Sequence, residues 1–359
     1  MKNLNIYISE GLADWGEDET LNKRMSKQTT KAAIKQEIID WIQENYKDNF
    51  VKVKKTKLKF DFSTSPVTVD YNDVIISKNS KELTNGVFKW GYVDKFVIEG
   101  NDNLVDLEGC PEECRELRCN WSNNIKSLKG APKLIRGDLY LSYCDGLISL
   151  EGCTQTLSNI YIINCSNLKS LKGGPQEVFN YDCINCGLLS LEGAPKKAND
   201  FTCSLNPLIT LKGAPNELTG FFKCNSCNDL KTLEGAPKKC AGFSCQNCKS
   251  LISLKGSPQI VYGDFSCNNT NITNFEGSPK EVKGMFFSYN CEKLESLKGM
   301  PEYIQGNLDV SRCPNLKTLN DGIGYIHGYL ICSDTPIKQN DYACEINAWG
   351  TLRNQITRK

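Results

Sequence analysis

One phrase recurs along most of this chain and limits what the chain can become. Aligned on an apolar pair L-x-x-L, its first positions fall at Leu104, Ile125, Leu147, Leu168, Leu188, Leu208, Leu230, Leu251, Ile272, Leu294 and Leu316, a spacing of 20 to 22 residues. Two residues after the second apolar position stands a glycine in ten of the eleven units, Gly109 to Gly299, and two residues further a proline in nine, Pro111 to Pro301. A unit this short cannot bury its apolar face alone. It does so by stacking on copies of itself, which makes a solenoid. At 359 residues the length alone would suggest two or three domains, but a stacked array grows as one unit and overrides that estimate.

Each phrase runs into an alternating stretch of the form x-Φ-x-Φ-x-x-[CN]. Its first apolar column reads Leu117, Leu139, Ile160, Tyr181, Phe201, Phe222, Phe243, Phe265, Phe286, Leu308, Leu330. The second reads Cys119, Leu141, Ile162, Cys183, Cys203, Cys224, Cys245, Cys267, Ser288, Val310, Cys332. A period of two puts both columns on one face of each strand, inside a parallel sheet. A third column closes the strand: Ser122, Cys144, Cys165, Cys186, Asn206, Cys227, Cys248, Thr270, Cys291, Cys313, Thr335. Where the last two columns both hold cysteine, a C-x-x-C spacing appears, at Cys183/Cys186, Cys224/Cys227 and Cys245/Cys248. That spacing would suit zinc, yet the repeat accounts for it fully. Fourteen of the nineteen cysteines belong to these two columns, so they read as small core residues rather than a disulfide framework. No metal and no cofactor is expected.

Written as L-x-x-L-x-L-x-x-[NC]-x-L, the unit matches the strand segment of leucine-rich repeats, with aromatic residues and cysteine in leucine positions. The phrase Leu251–Gly263, LISLKGSPQIVYG, followed by DFSCNN, resembles the leucine-rich-repeat proteins of large bacteriophages. It is similar, more distantly, to bacterial effector and surface-antigen repeats. The resemblance covers roughly residues 96–337. It implies a leucine-rich-repeat solenoid, mainly parallel β, of about eleven turns, and it implies that the closing asparagine or cysteine bonds to backbone groups of the turn. It carries little about function, because such repeats host unrelated binding tasks.

Taken in order, residues 1–26 form a polar N-terminal segment and residues 27–90 a small α+β cap. From Thr29 or Thr30 as N-cap, KAAIKQEIIDWIQENY places Ala33 or Ile34, Ile38, Trp41 or Ile42, and Tyr46 on one stripe of a helix. Phe50–Lys54, Leu58–Phe62, Val67–Tyr71 and Val74–Ile76 then alternate as strands do. The solenoid is expected over 91–337, and 338–359 is expected to cap its far end. The first residues lack the apolar run and cleavage site of a signal peptide, and nothing approaches the roughly 18 apolar residues of a membrane span. A reducing bacterial cytoplasm is the expected compartment if the phage resemblance carries over, with the virion as a further place.

Catalysis finds little support. The only histidine is His327, so no nucleophile has a plausible histidine base, and neither a dinucleotide fingerprint nor a phosphate loop occurs. A formal net charge of +1 gives no global pull toward nucleic acid or membrane. The expected function is therefore non-catalytic recognition of a protein partner by the exposed sheet face, and the phage resemblance implies a phage product acting on a host factor. Its candidate contact residues are Arg118, Trp121, Tyr140, Tyr143, Tyr161, Lys223, Tyr289 and Arg312, types that dominate binding hot spots. Two other readings stay open: a structural part of a viral assembly, and a small-ligand or nucleic-acid binder using the basic run Lys52–Lys59.

Between the second apolar position and the glycine, the sequence reads Glu108, Lys129, Glu151, Lys172, Glu192, Lys212, Glu234, Lys255, Glu276, Lys298, alternating in sign without a break. Turns about 4.8 Å apart place opposite charges above and below each member, and a slip of one turn would oppose like charges. Reversing Lys212 to Glu makes three consecutive glutamates, and should lower stability in urea unfolding by roughly 1 kcal/mol at low salt, shrinking as salt is added. A salt-independent loss would mean that the column is not stacked.

Overall fold

The computed structural model describes residues 19–45, 58–76, 79–319, 321–322, 324–337 and 351–353. It is a mainly parallel β-solenoid of about twelve turns, with a single helix among the described residues near the N-terminus. One fifteen-stranded sheet runs the length of the molecule. Strand β1 (Lys59–Asp61) pairs antiparallel with β2 (Val67–Ile76), and β2 pairs parallel with β3 (Phe88–Glu99). From β3 onward every turn adds one parallel strand: β4 (Glu113–Asn120), β5 (Leu134–Ser142), β6 (Asn159–Ile163), β7 (Asn180–Ile184), then shorter strands from Asp200–Thr202 to Tyr329–Ile331. Strand Thr351–Arg353 closes the far edge by antiparallel pairing with Tyr329–Ile331.

The apolar columns meet in register. Leu117 stands opposite Leu139, Tyr181 opposite Phe201, and Phe243 opposite Phe265, and no residue of either core column is more than 7% exposed. Six rings form one stack, from Tyr181 through Phe201, Phe222, Phe243 and Phe265 to Phe286, with centroids 4.9 to 5.6 Å apart. Such stacking adds to what burial of the rings contributes. The Tyr181 hydroxyl, at the head of this stack, is buried without a hydrogen-bond partner.

Three features depart from the expectations. Helix α1 spans Glu19–Asn45, ten residues more than the threonine cap implies. It contains neither glycine nor proline, and Leu, Lys, Arg, Met and Gln all favour continuing it. Its inner face is Ile34, Ile38 and Ile42, with Trp41 edge-on to Phe88 at 5.5 Å, whereas Ala33 is exposed. Second, the stretches Val67–Tyr71 and Val74–Ile76 are one strand, and β2 and β3 already stack in parallel ahead of the first L-x-x-L phrase. They extend the eleven phrases at the N-terminal end, to about twelve turns in all. Third, a second run of short parallel strands stands just ahead of the main strands in the chain, which the sequence did not indicate. Lys197–Ala198 pairs with Glu217–Leu218, and a five-stranded parallel set follows, Lys239–Cys240, Ile260–Val261, Glu281–Val282, Tyr303–Ile304 and Tyr325–Ile326, each strand but the last coming two residues after a proline. Tyr46, the strand expected at Phe50–Lys54 and most of the C-terminal cap lie outside the described residues.

The glycine of the phrase sets the rise between turns. At Gly213 φ is +92°, and a Cβ there would meet the Leu191 carbonyl carbon at 2.6 Å and the Glu192 nitrogen at 2.7 Å. The turn is held by Leu191 N–H donating to the Lys212 carbonyl at 3.2 Å and Ala214 N–H to Leu211 at 3.1 Å. In the charge column this close stacking leaves Lys129 2.6 Å from Glu108, Lys298 2.7 Å from Glu276 and Lys255 3.9 Å from Glu234. Gly213→Ala combines left-handed strain with a backbone collision, and should cost more than about 2 kcal/mol in urea unfolding. Gly86→Ala, where φ is +78° but nothing lies within 4 Å, should cost about 1 kcal/mol from strain alone. Equal losses at the two sites would contradict the close approach.

Candidate functional site

At the end of each main-sheet strand one residue turns the chain out of the sheet with positive φ. These are Trp121, Tyr143, Asn164, Asn185, Leu205, Ser226, Asn247, Asn269, Asn290, Arg312 and Asp334, with φ between 49° and 60°. Asparagine and aspartate tolerate this left-handed conformation, and bulky residues rarely adopt it. The next residue is buried in every turn but the last, where Thr335 is half-buried, and it satisfies the turn. Asn206 donates to the carbonyls of Cys183 and Cys203 at 2.7 and 3.0 Å and accepts from the amide of Cys186 at 3.1 Å. In the cysteine turns the thiol does part of this work, Cys144 donating to Cys119 O at 3.2 Å, Cys227 to Cys203 O at 3.3 Å and Cys248 to Cys224 O at 3.2 Å.

Two aromatic ladders stand on the outer side of the first turns. In one, the Arg118 guanidinium lies 4.5 Å from the centre of the Tyr140 ring, which stacks on Tyr161 at 4.9 Å and 14°. In the other, Trp121 stacks on Tyr143 at 5.3 Å and 8°. The ladders are three residues apart along the strand, about 10 Å. Trp121 is 50% and Tyr143 42% exposed. Beneath Arg118 sits Glu116, 8% exposed and bonded to Arg118, with Lys95 at 3.2 Å and Arg115 at 3.7 Å. Burial alone would raise the Glu116 pKa, but the Arg118 and Lys95 bonds hold it below the usual carboxylate value. Burial and a 3.0 Å hydrogen bond to Asp138 push the Tyr140 phenol up to about 12, so it stays a neutral donor at physiological pH.

The structure brings Arg118, Trp121, Tyr140, Tyr143 and Tyr161 together and sets the other three candidates apart. Lys223 lies further along the sheet, its ammonium 5.7 Å from the Phe221 ring centre. Arg312 faces Asp334 at 3.8 Å. Tyr289 packs edge-on to Phe287 at 6.5 Å and stands one residue before the exit position, which Asn290 occupies. Exposed Leu205 shares the exit column with Trp121 and was not singled out by sequence. In the basic run, Lys52 to Lys57 lie outside the described residues.

Elsewhere a groove of about 460 Å³ opens beside the short strand Lys197–Ala198, lined in part by exposed Phe179, Glu177 and Lys197. Among the described residues no group of His, Cys, Asp or Glu is arranged to hold a metal ion, and no helix is long and apolar enough to cross a membrane. No protein-family model, no curated protein and no solved structure matches the chain.

Burial pushes the thiols of Cys186, Cys227 and Cys240 up to about 12. A raised pKa leaves them protonated at pH 8, and the thiolate is the reactive form. Alkylation of the native chain at pH 8 should therefore label few cysteines, and denaturation should release nearly all nineteen. Rapid labelling of Cys227 or Cys240 in the folded protein would contradict their placement.

Proposed function

We propose that the chain is a non-catalytic recognition module that binds a protein partner through the N-terminal part of its main sheet face. Trp121, Tyr143, Tyr140, Tyr161 and Arg118 form the contact surface. The observation that carries this reading is the pair Trp121 and Tyr143, large exposed rings at left-handed positions where five other turns have asparagine. An indole at this site costs backbone strain that asparagine would avoid, and strain retained at a surface position points to use. Clustered exposed aromatics with an arginine match the composition of binding hot spots. The phage resemblance makes a bacterial host protein the first partner to seek. His327, an exposed side chain of the last parallel turn, lies many turns from this patch, which leaves the patch without a general base of that kind.

Replacing both rings by the residue that neighbouring turns use separates fold from function. Trp121→Asn with Tyr143→Asn should leave the melting temperature unchanged or raised, because asparagine suits the left-handed exit. A partner retained by the native chain should be bound about thirtyfold more weakly, a loss of about 2 kcal/mol. Unaltered retention, or a lowered melting temperature, would make the rings structural.

A further inference from the structure

One face of Trp121 is covered by Tyr143 and the other is open. On the open side the same ladder position in the preceding turn is Gly100. Glu99 pairs in register with Asn120, and the Gly100 amide donates to the Asn120 carbonyl at 2.9 Å. Gly100 leaves the sheet as Trp121 does, with φ of 62° against 49°, but it contributes no side chain. A Cβ built on it would meet nothing within 4 Å. The indole therefore borders a step of the ladder wide enough for one more flat group.

That step is flanked by carboxylates. Glu99 precedes Gly100 and Asp102 follows it by two residues, and both are exposed. Asp102 Oδ1 accepts the Asn123 amide at 2.8 Å, which fixes its carboxylate beside the turn that carries Trp121. Neither acid has an ion-pair partner among the described residues, while Lys95 and Arg118 are both engaged by Glu116. An indole face attracts a cation lying within about 6 Å of the ring. A guanidinium is flat enough to stack there while its N–H groups reach carboxylates at the rim. An apolar or neutral polar group would gain nothing from the two acids.

We infer that the step over Gly100 receives an arginine side chain of the protein partner, stacked on Trp121 and paired with Glu99 and Asp102. The inference rests on the sheet-face reading and names the chemistry its partner must present. In this arrangement Trp121 extends the ladder into the partner, so that the guanidinium takes the place a side chain would occupy at residue 100.

The test uses the full chain with ¹⁵N-labelled indoles, the Trp121 resonance being identified by its loss in Trp121→Phe. Acetyl-Gly-Arg-Gly-amide should shift that resonance saturably, and the citrulline peptide of equal shape should bind at least about tenfold more weakly. Glu99→Gln with Asp102→Asn, which keeps an oxygen for the Asn123 amide, should also weaken the arginine peptide about tenfold, with the melting temperature unchanged. Equal shifts by both peptides, no shift by either, or indifference to the double variant would each overturn the cation site. The broader reading is judged apart from this. If the arginine peptide fails while Trp121→Asn/Tyr143→Asn still loses its partner, only the cation site falls.

Discussion

From Gly130 to Gly299, each phrase glycine of this solenoid approaches the preceding turn so closely that a single methyl group would meet backbone. At Gly130, Gly152, Gly193 and Gly235 an added Cβ would lie 2.4 or 2.5 Å from main-chain atoms of the preceding turn. Only glycine tolerates both that distance and the positive φ. The contact sets a uniform rise, and a uniform rise turns sequence repetition into columns of touching side chains. The six-ring stack from Tyr181 to Phe286, the alternating charges and the main-sheet register all follow from it.

The same constraint explains a composition that would mislead if read alone. A parallel turn leaves carbonyls at each strand exit with no strand partner, and buried backbone groups need one. A thiol is small enough to fit between stacked turns and donates weakly to those carbonyls, as Cys144, Cys227 and Cys248 do. Asn206 and Thr270 fill the same place with stronger donors. Cysteine is thus used for its size and its S–H, not for cross-linking.

Much of this architecture was legible because repetition multiplies weak signals. One Phe-x-Cys says little, but eleven aligned copies assign the buried face of every strand from Leu117 to Leu330. The second sheet went unread although Pro215 to Leu218 and Pro258 to Val261 carry a Pro-x-x-Φ signature. A single core residue per turn gives no alternation to detect. Helix α1 was cut short because threonine serves as a cap yet is also tolerated inside a helix. At the candidate site, residue types indicated the patch, but the position after the strand depends on backbone handedness, which composition does not show: Tyr289 is a candidate by type, yet the exit of its turn is Asn290. Extending the alignment by one turn would have set Gly100 beside Trp121. The phrase is absent there, and strand pairing rather than composition makes the match.

The central claim is that a solenoid built on columns carries, on its outer sheet face, aromatic rings that the columns do not need and a partner does. Hydroxyl-radical footprinting reads it most directly, because tryptophan and tyrosine react according to exposure and the chain contains its own controls. With a captured partner bound, modification should fall at Trp121, Tyr143, Tyr140 and Tyr161, and remain unchanged at the exposed Phe179, Phe221 and Tyr262, which lie on later turns. Protection at Phe179 or Tyr262 with Trp121 and Tyr143 still reactive would contradict the account and move the partner to another face of the solenoid.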